Sequence, residues 1–209
     1  MEFISKLQPE LAEKVLPASL YRALEYIFSQ KLKGCILVGG TALAGFYAGH
    51  RRSDDIDLFT SSAESQTACV LAAKSLQKLG ARFDHEYHTQ SYYRTTCTLD
   101  KHVFTIDVVQ DSNLFRVGGF ETLENGISVA NMKTLLMTKA ATLVSRCGEK
   151  DLYDLLWIFA HYRDLSYEQL IELGSQIDGG LNAETLLLSI SGATITEKAC
   201  GFGIRKADT

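Results

Sequence analysis

The chain has 209 residues, of which 46% are hydrophobic and 22% are charged, the composition of an ordinary globular protein. A chain of this length can bury enough apolar surface to fold without disulfides or structural metals. The formal net charge of −4 provides no overall positive field, so a nucleic-acid substrate would have to be bound by a local basic patch.

The cysteines and the first residues favour the cytoplasm. The five cysteines form no CxxC pair and are odd in number, which is typical of free thiols in a reducing compartment. Residues 1–14 contain no apolar run of the kind found in signal peptides, and no stretch of the chain approaches the roughly 20 apolar residues that span a bilayer. We therefore expect a cytoplasmic protein without a membrane segment.

The first part of the chain alternates between helical and strand patterns. Pro17 can begin a helix, apolar residues follow at helical spacing, and Gly34 is a natural end for it. In chain order we predict a helix over residues 17–34, a buried strand over 35–38, a short helix over 42–49, a second strand over 56–59 and an amphipathic helix over 64–79.

The middle of the chain is rich in β-branched and aromatic residues, and the last third is helical. Asp100-Lys101 is expected to form a tight hairpin turn, and Asn131 is expected to cap a helix. We predict strands over residues 82–88, 92–99, 103–109 and 126–129, and helices over 131–147, 150–161, 166–176 and 182–190. The resulting prediction is an α+β fold with an α/β core over residues 1–129 and a helical C-terminal part over 130–209, in which residues 194–209 show little pattern.

Two carboxylates on the second predicted strand suggest a metal site. Asp55 and Asp57 lie two residues apart, so both side chains project from one face of the strand. Adjacent carboxylates repel each other unless a cation lies between them. Mg²⁺ usually takes one or two carboxylates together with substrate phosphates, so this pair suits magnesium.

A glycine pair lies at the preceding strand-to-helix turn. Because Gly39 and Gly40 have no Cβ atom, their backbone can approach a ligand closely. The amides from Thr41 onward begin a helix, and a helix N-terminus favours phosphate. A phosphate loop and a metal pair therefore follow each other within one strand-helix-strand unit.

Each of these patterns has a simpler structural explanation. A Gly-Gly pair is usually only a turn, and an Asp-x-Asp pair is usually a solvated strand end. Their conjunction favours a functional site, because Asp57 is embedded in an apolar run and a buried acid without a ligand would be unfavourable.

The two stretches 39–43 and 52–59, read as Gly-Gly-Thr-Ala-Leu and Arg-Ser-Asp-Asp-Ile-Asp-Leu-Phe, resemble the signature of the AbiEii/AbiGii-type nucleotidyltransferases. These are minimal members of the polymerase-beta-like superfamily, and several are toxins of bacterial toxin–antitoxin systems. Residues 139–146 and 150–155 are similar to the helical motifs of that family, so the resemblance spans roughly residues 36–160. It implies a polymerase-beta-like core, with a mixed sheet and flanking helices, followed by a C-terminal helical bundle.

The helical motifs carry charges that suit a triphosphate. Lys139, Thr142 and Arg146 fall on one helix face, and two cations there could meet phosphates. Asp151 and Asp154 lie near the start of the next helix, where acids are also favoured by the helix dipole or by salt bridges with Arg146 or Lys150. The resemblance implies that Lys139 and Asp151 belong to the active site.

A third acid, Asp107, lies in an apolar strand setting like that of Asp57. In the superfamily that the chain resembles, a third strand Asp commonly completes the metal site and can act as a general base. The structural alternative is an Asp at a sheet edge.

The resemblance implies transfer of a nucleotidyl group from a nucleoside triphosphate (NTP) to an acceptor hydroxyl, with two Mg²⁺ ions as cofactors. The acceptor could be tRNA, another RNA, a protein or a small molecule, and a winged-helix antitoxin encoded nearby is a possible partner. Phosphoryl transfer by the same fold and a catalytically silent binding module are the alternatives. The predicted catalytic residues are Asp55, Asp57, Asp107 and Lys139, of which the first three are metal ligands. The predicted nucleotide-binding residues are Gly39, Gly40, Thr41, Arg52, Ser53, Lys139, Arg146 and Asp151.

Overall fold

A computed structural model describes residues 6–194, 196 and 199–204 of the chain. Its helices are α1 (Glu10–Val15), α2 (Ala18–Ser29), α3 (Gly39–Leu43), α4 (Ala63–Lys74), α5 (Ser112–Val117), α6 (Met132–Ser145), α7 (Glu149–His161), α8 (Tyr167–Ser175) and α9 (Ala183–Ser191). Its strands are β1 (Cys35–Val38), β2 (Asp55–Thr60), β3 (Arg82–His88), β4 (Tyr92–Leu99), β5 (His102–Gln110), β6 (Phe120–Thr122) and β7 (Ser128–Ala130). A π-helical turn (Ala44–Ala48) extends α3, and 3₁₀ turns occupy Ser75–Leu79 and Ala199–Phe202.

The seven strands form one mixed sheet in the order β3-β4-β5-β2-β1-β7-β6. β2 is antiparallel to β1 and parallel to β5, while β1 is parallel to β7. This mixed sheet with flanking helices confirms the predicted fold class.

The central strands place apolar side chains on one face and acids on the other. All four residues of β1 are buried, and in β2 the buried residues Ile56 and Leu58 alternate with Asp55 and Asp57. Helix α4 packs against β1, β2 and β5, and Ile56 and Leu58 belong to the core. Because strand side chains alternate between faces, this burial directs the two acids to the opposite face.

The C-terminal helices build one wall beside this face. Asn131 caps α6 by accepting a hydrogen bond from the Thr134 amide at 2.9 Å, as the sequence predicts. Helix α6 packs on α3 and β7, and α7, α8 and α9 pack on α6. Among the described residues, no helix is both long and apolar enough to cross a membrane.

The remaining differences from the predicted elements have local causes. Helix α2 ends at Ser29 rather than near Gly34, because Lys31 and Gly34 adopt the left-handed conformation, with φ of 57° and 61°. Asp100 and Lys101 also have positive φ, which confirms the tight hairpin turn. The helix expected over 42–49 starts at Gly39, and the strand expected over 126–129 is shifted to 128–130. Helices α1 and α5 and strand β6 are short additional elements that the sequence patterns do not predict.

Candidate active site

The three predicted acids lie on one face of the sheet. Asp57 of β2 is the register partner of Asp107 in parallel β5 and of Val38 in β1. Asp55 projects from the same face two residues earlier, and its Oδ1 accepts a hydrogen bond of 2.8 Å from Thr105 Oγ1. The sheet register therefore brings Asp55, Asp57 and Asp107 together, although the first and the last are 52 positions apart in the sequence.

The carboxyl of Asp57 has an unusual environment. Burial, together with the negative charges of Asp55 and Asp107, raises its pKa to about 6. A cation beside Asp57 would offset the cost of burying its charge and the repulsion from Asp55 and Asp107. Carboxylate oxygens are ligands that Mg²⁺ prefers. Among the described residues, no three His, Cys, Asp or Glu side chains converge on one metal position. Mg²⁺ is usually held in proteins by one or two carboxylates and completed by substrate oxygens and water, and the chemistry of Asp55 and Asp57 fits that ligand set.

The glycine pair after β1 leaves room for two functional side chains. Gly39 has a φ of +71°, and a Cβ there would lie 2.0 Å from Asp57 Oδ2. A Cβ at Gly40 would lie 2.2 Å from a terminal nitrogen of the Arg51 guanidinium. Gly39 thus permits contact between the main chain and Asp57, whereas Gly40 makes room for Arg51.

Hydrogen bonds of Thr41 connect this loop to Ser53 and to the start of β2. Both side chains are buried, and the Thr41 hydroxyl lies 2.9 Å from Ser53 Oγ and also donates to the Asp55 carbonyl. The Arg52 side chain is exposed, while its amide donates to the Phe202 carbonyl at 2.9 Å. Thr41 therefore positions the strand that carries Asp55, and nucleotide contacts of Thr41, Arg52 and Ser53 stay predictions.

A buried ionic network centred on Asp154 joins the helical motifs to the sheet. Lys139 Nζ lies 2.6 Å from Asp154 Oδ2 and 3.0 Å from Asp151 Oδ1. Arg51 donates to both oxygens of Asp154, at 2.6 Å and 2.8 Å, and His50 Nε2 lies 2.7 Å from Oδ1. Burial alone would raise the pKa of Asp154, but the hydrogen bond from Arg51 and the charge of Lys139 hold it well below its usual range. Asp154 is therefore ionised, and it forms ion pairs with Arg51 and Lys139.

Two adjoining clefts open beside this network, and both are lined by Gly40, Asp57, Lys139 and Arg146. The first, here named the sheet-side cleft, lies between α6 and strands β2, β4 and β5. Its further lining residues are Val38, Gly39, Phe59, Tyr92, Arg94, Asp107, Val109, Thr138 and Thr142. The second, here named the helix-side cleft, lies between β2 and the α6–α7 turn. Its further lining residues are Arg51, Ser53, Asp55, Gly148, Glu149, Lys150, Asp151 and Phe202.

The cations of the clefts differ in how firmly they are held. Lys139 and Arg51 are buried in short ion pairs. The Arg146 side chain is 70% exposed and lies 3.5 Å from Asp151, and Lys150 is 43% exposed and lies 3.8 Å from Asp55. Arg146 and Lys150 can therefore move to an incoming anion more easily than Lys139 can.

The profile of one protein family matches residues 22–178, which is most of the chain. That family is described as nucleotidyl transferase AbiEii toxin, type IV toxin–antitoxin system. The chain belongs to the AbiEii family. No curated protein sequence matches the chain.

Solved structures support the fold of this AbiEii-family chain. The nucleotidyltransferase toxin MenT4 of Mycobacterium tuberculosis superposes with a TM-score of 0.57 at 15% identity, over 94% of this chain and 76% of MenT4. JHP933 of Helicobacter pylori gives a TM-score of 0.54 at 18% identity, over 92% of this chain and 85% of JHP933. At these identities the comparisons show a shared fold.

Most of the predicted site residues of this AbiEii-family chain line one cleft or both. These are Gly39, Gly40, Ser53, Asp55, Asp57, Asp107, Lys139, Arg146 and Asp151. Thr41 and Arg52 lie outside both walls.

Sequence reasoning missed several residues that line the clefts or hold the network together. Tyr92 donates a hydrogen bond to Asp107 Oδ1, and Arg94 lies 3.5 Å from the same oxygen. Strand alternation could have placed Arg94 opposite Asp107 had the hairpin register been followed from the Asp100-Lys101 turn. No local signal marks Arg51 and His50 as partners of Asp154, or Phe202 as part of a cleft wall.

Proposed function

We propose that this chain transfers a nucleotidyl group from an NTP to an acceptor hydroxyl and releases pyrophosphate. The observation that carries the proposal is the position of Asp57, which lies between the Gly39 backbone and Asp107 at the junction of two clefts. A reaction of two substrates needs such a junction, because both must reach the same carboxylates.

We assign one substrate to each cleft. The helix-side cleft contains Asp55 and the exposed cation Lys150, and it shares the exposed Arg146 with the sheet-side cleft; these two cations suit a triphosphate. The sheet-side cleft contains Asp107, so we place the acceptor hydroxyl there. Gly40 lines both clefts and Gly39 lines the sheet-side cleft next to it, where backbone amides can face phosphate oxygens.

Magnesium fits this arrangement as the cofactor, with Asp55 and Asp57 as its ligands and Asp107 as a third candidate in a two-metal site. When bound, it supplies positive charge for the phosphates and lowers the pKa of an oxygen bound to it. Lys139 and Asp154 hold helices α6 and α7 in place beside the carboxylates, and Asp151 orients Lys139.

Asp107 is suited to accept the proton of the acceptor hydroxyl. The hydrogen bond from Tyr92 and the contact with Arg94 both reach Oδ1, and they fix the position of the carboxyl group that would act as the general base. Tyr92 and Arg94 thus orient Asp107 toward the sheet-side cleft.

Membership of the AbiEii toxin family supports a proposal about the role of this protein in the cell. We propose that the chain is the toxin of a toxin–antitoxin pair in the cytoplasm, with a winged-helix antitoxin as partner and tRNA or another RNA as acceptor. We also propose a boundary between the nucleotidyltransferase core and the helical part near residues 129–130, at the end of β7 and shortly before α6 begins at Met132.

An isotope experiment distinguishes this function from its alternatives. The protein is incubated with magnesium and total cell RNA, and each NTP is labelled in turn at the α- or the γ-phosphate. We expect the α-label to appear on RNA while pyrophosphate is released. Transfer of the γ-label would indicate phosphoryl transfer, and transfer of neither label to any acceptor would favour a silent binding module.

A further inference from the structure

Among the described residues, the helix-side cleft has a charged wall that contains one aromatic side chain. Its other lining residues are charged, polar or glycine, and Phe202 is the exception. An NTP has the same asymmetry, because its triphosphate is charged and its base is flat and aromatic. The carboxylates and cations account for the triphosphate, which leaves Phe202 as the surface suited to the base.

Phe202 belongs to a C-terminal segment that the main chain holds beside the site. Arg51 and Gly203 form an antiparallel β-bridge, and the Arg52 amide donates to the Phe202 carbonyl at 2.9 Å. The Ile204 amide donates to the His50 carbonyl at 3.2 Å. These contacts place Phe202 next to the residues that lead into β2 and Asp55.

The Phe202 ring also contacts a second aromatic side chain. The ring of Tyr153 meets it edge to face, with centroids 5.3 Å apart. Tyr153 in turn stacks on His50 at 5.6 Å with an interplanar angle of 6°, and His50 contacts Asp154. The orientation of Phe202 is therefore coupled to the buried ionic network.

We propose that Phe202 is the stacking surface for the nucleobase of the bound NTP, so that the C-terminal segment completes the nucleotide site. This inference rests on the proposed function and adds a recognition residue to it. Stacking on an aromatic ring tolerates every base, so Phe202 contributes affinity rather than a choice among bases.

Binding measurements with and without a base test the proposal. Dissociation constants are measured with magnesium for an α,β-methylene ATP analogue and for inorganic tripolyphosphate, which has no base. We expect Phe202→Ala to weaken analogue binding by about fivefold to 150-fold while tripolyphosphate affinity is unchanged. Phe202→Tyr, which keeps the ring, is expected to bind both as the wild type does.

Two results would overturn the proposal: unchanged analogue binding by Phe202→Ala, or equal loss of analogue and tripolyphosphate binding. If Phe202→Ala fails to fold, Phe202→Leu replaces it in the same two binding measurements, with the same expected results, because it keeps apolar bulk without a ring. Failure here is distinguishable from failure of the proposed function. The wild type would still transfer the α-label to RNA in the first case, and would not do so in the second.

Discussion

The main chain at Gly39 lies directly against the carboxylate of Asp57, where a Cβ atom would be 2.0 Å from Oδ2. The φ of +71° at Gly39 is the second reason why only glycine fits there. The loop after β1 and the acid on β2 therefore form one unit, and a change in either displaces the other.

Gly39→Ala should lower both activity and stability. The left-handed backbone costs about 1–2 kcal/mol for a residue with a side chain, and displacement of Asp57 by about 1 Å would slow transfer about a hundredfold. Urea unfolding and the α-label assay measure the two effects. Gly80→Ala is the matched control, because Gly80 has a φ of +89° and nothing within 4 Å of the added Cβ. Equal activity of the two variants would show that the Gly39–Asp57 contact is unimportant.

Lys139→Met should destabilise the protein by about 3 kcal/mol, because it removes a cation from two buried carboxylates. Sequence reasoning predicted that Lys139 contacts phosphate directly, and its two short ion pairs add a structural role. Urea unfolding at pH 7.5 measures the loss. A change below about 0.5 kcal/mol would mean that the network around Asp154 does not hold α6 and α7 together.

Arg146→Met, at the C-terminal end of α6, should leave the stability of the protein nearly unchanged but weaken NTP binding. Its side chain is 70% exposed, so stability should change by less than about 0.5 kcal/mol. Loss of a charged hydrogen bond to phosphate should weaken NTP binding by about tenfold or more. Calorimetric titration with the ATP analogue checks this, and wild-type affinity in the variant would remove Arg146 from the nucleotide site.

His50 should make stability depend on pH. Burial lowers its pKa, and Nδ1 is a buried nitrogen without a hydrogen-bond partner in the described part of the chain, so a proton placed there would be unfavourable. As the pH falls below about 6.5, the unfolded chain takes up this proton first, which favours unfolding. Wild-type protein should therefore lose more stability between pH 7.5 and 5.5 than His50→Gln does. Parallel urea titrations of the two proteins at both pH values measure these losses of stability. Equal losses in the two proteins would refute the prediction.

The parts of the fold that sequence reasoning predicted well have strong local signals. Strands β1 to β5 follow from apolar runs and alternation, and the cap at Asn131 follows from its residue type. Asp55 and Asp57 could be paired because a strand fixes the direction of residues two apart.

The parts that were missed depend on contacts between distant segments. His50 and Arg51 meet Asp154 across more than 100 residues, and Phe202 reaches the cleft through backbone bonds to residues 50–52. Gly40 belongs to the predicted phosphate loop, and only the packed structure shows that its missing Cβ also makes room for Arg51. No periodicity in the sequence encodes these pairings.

The most direct test of the central claim is the rate of α-label transfer from NTP to RNA by Asp57→Asn. Asp54→Asn is the matched control, because it makes the same charge change three residues away, where the Asp54 side chain is half exposed and contacts His102 at 3.3 Å. We expect Asp54→Asn to transfer label as the wild type does. A folded Asp57→Asn protein should keep less than about a tenth of the rate, which corresponds to a loss of at least about 1.4 kcal/mol in transition-state stabilisation. A folded Asp57→Asn protein that transfers label as fast as Asp54→Asn would contradict the account.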